Sequence, residues 1–185
     1  MISYAGIGSR DISLGEKLEI GKLAGILSEM GYVLYSGNAP GSDQSFGYGS
    51  KGRNVIYLPW MGFEVESFDY RSKSLAYYDM GSSEAGLAAI GSSHRSRLSS
   101  GGLRCMARNY HQIYGYGEYP MVSFVVYCAD DLSDGRVKGG TNQAVSIAKG
   151  LGIPVVNMRV SGWNMRLKEL LSGLKNKQKL LNSFK

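Results

Sequence analysis

The chain has 185 residues, of which 43% are hydrophobic and 19% charged, enough apolar content for one packed domain of ordinary size and too much for a disordered chain. Its 21 basic and 15 acidic side chains leave a net charge of +6. Residues 159–185 carry that whole excess, with seven basic residues and the one acid Glu169, so the main body is neutral and argues against a protein that grips nucleic acid with a basic face.

In chain order, residues 2–7 read as a short buried strand that runs into the turn Gly6-Ile7-Gly8-Ser9-Arg10. Leu23, Ile26, Leu27 and Met30 recur at i, i+3, i+4, i+7, the stripe of an amphipathic helix, and Gly31 is a plausible stop. Residues 32–35 read as a second strand, followed by the loop Ser36-Gly37-Asn38-Ala39-Pro40-Gly41-Ser42-Asp43 and a helix from Asp43. Residues 54–58 form a third strand closed by Pro59. The stretch 60–102 is the least legible, with one helix expected over 84–90 between Ser/Gly-rich loops. A helix is expected over 105–114, and Val122, Phe124, Val125, Val126 and Tyr127 give residues 121–127 the continuous apolar character of a central parallel strand. Ala144, Ile147, Ala148 and Leu151 mark another helix, residues 153–156 another strand, and Leu167, Leu170, Leu171 and Leu174 a last amphipathic helix with a frayed Lys-rich end. Strand, glycine turn, helix, strand is the βαβ rhythm, so the expected fold is α/β: a Rossmann-like, doubly wound, mainly parallel sheet of five or more strands with helices on both faces. Residues 1–160 are expected to form the binding domain and 161–185 a basic helix and tail packed on it or on a partner subunit.

No apolar run is long enough to span a membrane, and residues 1–10 lack the basic-then-apolar layout of a signal peptide. Cys105 and Cys128 are too few for a disulfide framework and lack metal-ligand spacing. A cytoplasmic protein with two free thiols, no metal and no cofactor is therefore expected.

In an open parallel sheet, ligands sit beyond the carboxyl ends of the strands, where helix N-termini aim backbone N–H groups at anions. Three glycine-bearing loops occupy that position: Gly8, Ser9 and Arg10; Ser36, Gly37, Asn38, Gly41 and Asp43; and Gly139, Gly140, Thr141, Asn142 and Gln143. The third suits phosphate best, because two glycines permit close approach and Thr141 can cap the next helix or donate its hydroxyl. None carries the lysine of GxxxxGK[ST], and Gly6-Ile7-Gly8 lacks the later glycine of GxGxxG, which excludes P-loop NTPases and the dinucleotide oxidoreductases. Arg95, Arg97, Arg104 and Arg108 fall in one window with His94 and His111. Of these, Arg108, with Arg95 and His94, are placed near a ligand, since a guanidinium suits bidentate phosphate contact. The histidines have no cysteine or carboxylate at metal-ligand spacing.

Tyr4-Ala5-Gly6-Ile7-Gly8-Ser9-Arg10, Ser36 to Asp43, Tyr57-Leu58-Pro59-Trp60, Ala107-Arg108-Asn109 with Gln112 and Gly115, and Gly139-Gly140-Thr141 leading to Gly152-Ile153-Pro154-Val155 together resemble the SLOG superfamily. Within it they are most similar to the phage-borne relatives of the DNA-processing protein DprA. The resemblance spans residues 1–158 and implies a Rossmann-like fold that binds a nucleotide. The superfamily includes sensors of ADP-ribose-type signals, the single-stranded DNA binder DprA and the LOG phosphoribohydrolases. Met106-Ala107-Arg108-Asn109 is similar to the Met-x-x-Arg-Lys helix of LOG enzymes, with Asn109 in place of lysine. Gln143 stands where those enzymes carry glutamate.

Cleaving an N-glycosidic bond needs a carboxylate, and an amide does not supply one. The expected function is therefore capture of a small phosphorylated nucleotide, of ADP-ribose or cyclic-nucleotide type, without efficient cleavage. As the resemblance implies, the protein acts as a receptor or a sponge, in a phage setting against host immune signalling, and as a homo-oligomer. The alternatives are LOG-like hydrolysis of nucleoside 5′-monophosphates, with Asp43 or Glu84 as substitute carboxylate, and DprA-like binding of single-stranded DNA. Tyr114 or Trp60 is the expected base-stacking ring.

Overall fold

The computed structural model describes residues 1–64 and 74–182, without the side chains of residues 92, 93 and 178–182; the end of the expected tail, 183–185, lies outside the described residues. Six parallel strands, β1 (Ser3–Gly8), β2 (Val33–Ser36), β3 (Asn54–Leu58), β4 (Ala76–Asp79), β5 (Phe124–Cys128) and β6 (Val155–Asn157), form one sheet in the order β4-β3-β2-β1-β5-β6. The chain builds outward from β1 to one edge and then crosses to the other side of β1, which creates a topological switch point between β1 and β5. The expected doubly wound parallel architecture is the one observed.

Side chains alternate along the central strand. Ala5 and Ile7 join Tyr35, Tyr57, Val125 and Ile113 in a core on one face, and Tyr4 joins Leu34, Phe46, Phe124 and Val126 on the other. The first core is covered by α5 (Ser100–Tyr114) and α6 (Thr141–Gly150), the second by α1 (Leu14–Glu29), α2 (Ser42–Gly49) and α7 (Trp163–Asn182). With helices on both faces, β1, β3 and β5 are apolar nearly throughout.

Four local expectations change. In α1 the buried arc is Ile20, Leu23, Ala24 and Leu27, while Ile26 and Met30 face solvent. Small residues decide this: a Cβ on Gly49 would lie 2.8 Å from Ala24 Cβ, so α2 packs against the column that carries Gly21, Ala24 and Gly25. The edge strand β4 and two short helices, α3 (Glu84–Ala88) and α4 (Ser92–Arg95), fill part of the illegible middle. Helix α5 begins at Ser100 because Ser99 caps it, its side chain accepting from Gly102 N at 3.1 Å. Helix α7 continues to Asn182, with Leu167 buried and Leu170, Leu171 and Leu174 packed on the second core. No described helix is long and apolar enough to cross a membrane.

Candidate functional site

The carboxyl ends of β1 and β5 open into a cleft of about 900 Å³ at the switch point. Its walls take residues from the loops after β1, β2, β3, β5 and β6, from α5 between Gly101 and Gln112, and from the start of α6. Of the residues expected at a ligand, Gly8, Ser9, Arg10, Asp43, Arg108, Asn109, Gly139, Gly140 and Thr141 line this one cleft.

The loops after β1 and β2 are zipped together. Ser42 donates to Ser9 O through both its N (3.0 Å) and its Oγ (2.9 Å). Gly41, at φ +86°, presses so closely that a Cβ there would be 2.6 Å from Ser9 O, a conformation and a contact that both favour glycine. Ser36, Gly37, Asn38 and Gly41 therefore build the cleft without lining it. Ser36 Oγ donates to Gly6 O at 2.7 Å, and Asn38, left-handed at φ +58°, donates through Nδ2 to Phe63 O and Glu64 O.

Arg108 and Asp43 form the buried centre, 4% and 5% exposed. Arg108 Nη1 donates to Asp43 Oδ2 and to Tyr57 O, each at 3.4 Å, and its guanidinium lies 5.9 Å from the Phe63 ring. Asp43 Oδ2 also accepts from Ala39 N at 3.4 Å. Asp43 does not cap α2, whose N-cap is Gly41 without a side-chain bond. Burial pushes the Asp43 carboxyl above its ordinary value, with Arg108 and the N–H groups of Ala39 and Gly37 opposing the rise. Burial likewise lowers Arg108, against the pull of Asp43; starting above 12, arginine keeps its proton.

Two donors on this wall are unmatched. Arg108 Nε and Gln112 Nε2 are buried without a hydrogen-bond partner, and Gln112 as a whole is 2% exposed. The Arg108 guanidinium and Gln112 Nε2 pack against Gly37, where a Cβ would overlap Arg108 Nη1 and come 2.8 Å from Gln112 Nε2. Gln112 was not among the residues expected at the ligand, although it lies four residues after Arg108 on α5, the spacing that places two side chains on one helical face.

Other expected residues lie elsewhere. Gln143 and Asn142 face an adjoining hollow of about 490 Å³, as does His94. Asn109 Nδ2 donates to Gln143 Oε1 (3.4 Å) and Gly140 O (3.3 Å), so the Asn109–Gln143 pair stands between the two spaces. Gln143, expected at the ligand, is thus not on the main cleft wall. Arg95 Nη2 is spent on Leu87 O, and Glu84 is exposed on α3 outside both spaces. His111 is structural: Nδ1 donates to Gly115 O at 3.0 Å and Nε2 accepts from Ser83 Oγ at 2.6 Å, which joins the end of α5 to the cap of α3. Among the described residues no three potential metal ligands cluster.

Thr141 does not cap α6. Gly140 is the N-cap and offers no side chain, and the first turn closes on its own backbone, Asn142 N donating to Gly139 O at 3.2 Å and Gln143 N to Gly140 O at 3.3 Å. Trp60 lines the cleft with its ring fixed by the edge of Phe63 at 5.0 Å and by the Arg104 guanidinium at 5.5 Å, whereas Tyr114 stacks on Tyr110 at 4.2 Å, outside the cleft. At the opposite end, Arg159 donates to Glu16 Oε1 (2.7 Å), Asp130 Oδ1 (2.6 Å) and Asp11 O (3.1 Å), and Lys138 pairs with Asp130 at 3.6 Å. These rim residues carry no glycine or motif signal in the sequence.

No protein-family profile and no curated protein matches the chain by sequence. Among solved structures it is similar to DNA processing protein A of Helicobacter pylori, studied for its single-stranded DNA binding, with a TM-score of 0.54 and 17% identity over 96% of this chain and 80% of that one. It is also similar to DprA of Streptococcus pneumoniae, with a TM-score of 0.51 and 14% identity over 91% of this chain and only 56% of that one. The molybdenum cofactor carrier protein of Chlamydomonas reinhardtii aligns at a TM-score of 0.42 and 15% identity, over 92% and 98% of the two chains. At such identities the likeness concerns architecture: the chain has a Rossmann-like α/β fold similar to that of DprA.

Proposed function

We propose that the protein holds a small phosphorylated nucleotide in the strand-end cleft without cleaving it efficiently, as a receptor or a sponge. The observation that carries this reading is the convergence of the loops after β1, β2 and β5 with Arg108, Asn109 and Gln112 on one strand-end cleft of small-ligand size. The positive dipole end of α6, on the cleft wall at Gly140 and Thr141, favours a phosphate, exposed Arg10 adds charge at the rim, and Trp60 offers a held aromatic face for a base.

Capture without cleavage follows from the state of the carboxylates. Asp43 is committed to Arg108 and to Ala39 N, and Asp130 to Arg159 and Lys138. A carboxylate so engaged is poorly placed to activate water or stabilise an oxocarbenium ion. Mass spectrometry of denatured protein and calorimetry against a nucleotide panel test the reading. Stoichiometric binding with intact ligand on release is expected; free base accumulating on chromatography favours hydrolysis through Asp43 instead.

The likeness to Helicobacter DprA over nearly the whole chain favours one second reading, single-stranded DNA binding. Oligonucleotide affinity that falls steeply with salt and is insensitive to Arg108→Met supports it over the first.

A further inference from the structure

The 490 Å³ hollow is walled by the end of α3, by Met106 of α5, by α6 and by a small hairpin. The hairpin is made by the antiparallel bridge of Asp131 with Val137 and by Leu132 N, which donates to Arg136 O at 2.8 Å. It is tied to α6 where Val137 N donates to Asn142 Oδ1 at 3.0 Å. Helix α3 in turn is pressed onto α5, since a Cβ on Gly86 would lie 2.2 Å from Ala107 O. The chain's own contacts thus hold the walls in place. The volume falls in the range of about 300–1,000 Å³ usual for small-ligand sites.

The lining differs in kind from that of the cleft. Ile90, Met106, Leu132, Val137 and Ile147 make it apolar. Its amide oxygens are spent: Asn142 Oδ1 accepts from Val137 N, and Gln143 Oε1 accepts from Asn109 Nδ2. Neither amide can be turned round. Val137 N has to meet an oxygen, and Asn109 gives the same Nδ2 to Gly140 O, so it presents a nitrogen to Gln143. Asn142 is left with its amide nitrogen as a donor. Asp134 holds Arg136 along one edge, through Nε at 2.7 Å and Nη2 at 2.6 Å, and leaves Nη1 free; His94 adds an exposed imidazole. Among the described residues no Asp or Glu lines the hollow, whereas Asp11, Asp43, Glu64 and Asp130 all line the cleft.

From apolar walls combined with side-chain donors and no carboxylate, we infer that the hollow is a second ligand site, separate from the cleft, for a small amphipathic anion: an apolar chain or ring system that carries one carboxylate or sulfonate. The apolar body packs against Ile90, Val137 and Ile147. The acid group takes the donors of Arg136, His94 and Asn142, and a guanidinium with a free N–H suits it in charge and geometry. The inference does not depend on what the cleft binds.

Fluorescence titration of the intact chain with anilinonaphthalene sulfonate, and with phenylnaphthylamine as the same ring system without the acid, tests the site. The sulfonate is expected to bind about 10-fold or more tighter, the worth of one hydrogen bond to a charged group, and to be displaced by decanoate but not by decanol. Joint replacement Arg136→Gln and His94→Gln is expected to remove that difference while the neutral probe keeps its affinity within twofold. Ser146→Trp and Ala89→Trp place a bulky ring in the hollow from exposed positions on different walls. Each is expected to abolish sulfonate binding, with thermal melts to show that the fold is intact. Equal affinity for the two probes, or sulfonate binding that survives either plug in a folded chain, overturns the inference. Should both plugs unfold the chain, an unchanged sulfonate affinity in the Arg136→Gln, His94→Gln variant, altered only at exposed side chains, overturns it as well.

Discussion

Gly37→Ala tests the centre of the site with one methyl group. The new carbon coincides with the position of Arg108 Nη1, so the guanidinium has to withdraw by about 2 Å or more before the two atoms reach van der Waals distance. Gly37 itself is not in the left-handed region, so its backbone accepts alanine without strain. The displaced atom is the far end of a flexible side chain, which keeps the fold within reach, but its withdrawal leaves Asp43, 5% exposed, without its cation. Removing one member of a buried pair costs about 3–5 kcal/mol in full. Here the loss is capped, because burial already pushes the Asp43 carboxyl upward and it can take a proton in place of the arginine. We therefore expect a folded protein destabilised by about 1–3 kcal/mol, with a melting temperature lower by about 2–4 °C for each kcal/mol at this chain length. Ligand affinity is expected to fall at least 10-fold, because Arg108 Nε and Gln112 Nε2 no longer share one wall. Differential scanning fluorimetry and calorimetry against the best nucleotide of the panel read the two effects. An unchanged melting temperature together with unchanged affinity would refute the placement of Arg108 against Gly37 and the role given to it.

Asp43→Asn leaves the Arg108 charge buried without its counter-ion and is expected to lower unfolding stability in urea by about 3–5 kcal/mol; a loss under 1 kcal/mol contradicts a true ion pair. The Arg159 guanidinium beside Glu16 holds its carboxyl at about 2 against an ordinary 4.5. Solvent screens this rim pair, so its stabilisation is about 1 kcal/mol, present above pH 4.5 and lost as pH falls from 4.5 toward 2. Denaturation followed across that window is expected to show the loss in the natural chain and a flatter profile in Glu16→Gln. Trp60→Ala removes the held ring and is expected to weaken a base-containing ligand by about 1–3 kcal/mol, the usual worth of a base stacked on an aromatic side chain. Quenching of indole fluorescence on ligand addition, retained in Trp163→Phe and lost in Trp60→Ala, is the matching signal.

The parts of the fold that sequence periodicity revealed are those buried on both sides. Residues 54–58 and 121–127 are continuous apolar runs, and a strand flanked by helices on each face has no other way to be written. β4 escaped because it is a half-buried edge: Ala76-Tyr77-Tyr78-Asp79 shows neither a full apolar run nor a clean alternation. The stripe of α1 had the right period and the wrong phase, since Ile26 and Met30 outweigh Ala24 in hydrophobicity while only the small residues permit α2 to approach. In the site, the glycine loops announced themselves because close approach with positive φ demands glycine at Gly41, and positive φ alone favours it at Gly139. Gln112 and Arg159 gave no such signal, because long polar side chains reach their places by tertiary packing that no local pattern encodes.

The location of Gln143 changes the argument for the proposed capture without cleavage. The sequence resemblance put an amide where a hydrolase carries its acid, but the amide faces the hollow and its oxygen is occupied by Asn109. The proposal rests instead on Asp43, a cleft-lining carboxylate already committed to Arg108 and Ala39 N. The same pairing redefines Arg108. With Asp43 beside it, the guanidinium adds no net charge to the cleft, so it cannot serve chiefly as an electrostatic attractor. What remains is geometry: a planar group with Nη1 anchored to Asp43 and Tyr57 O, and Nε presented on a rigid wall. A lysine ammonium carries the same charge but cannot hold that fork. In the proposed reading, attraction of a phosphate then falls to the dipole end of α6 and to exposed Arg10, which separates the electrostatic from the directional part of recognition within one cleft.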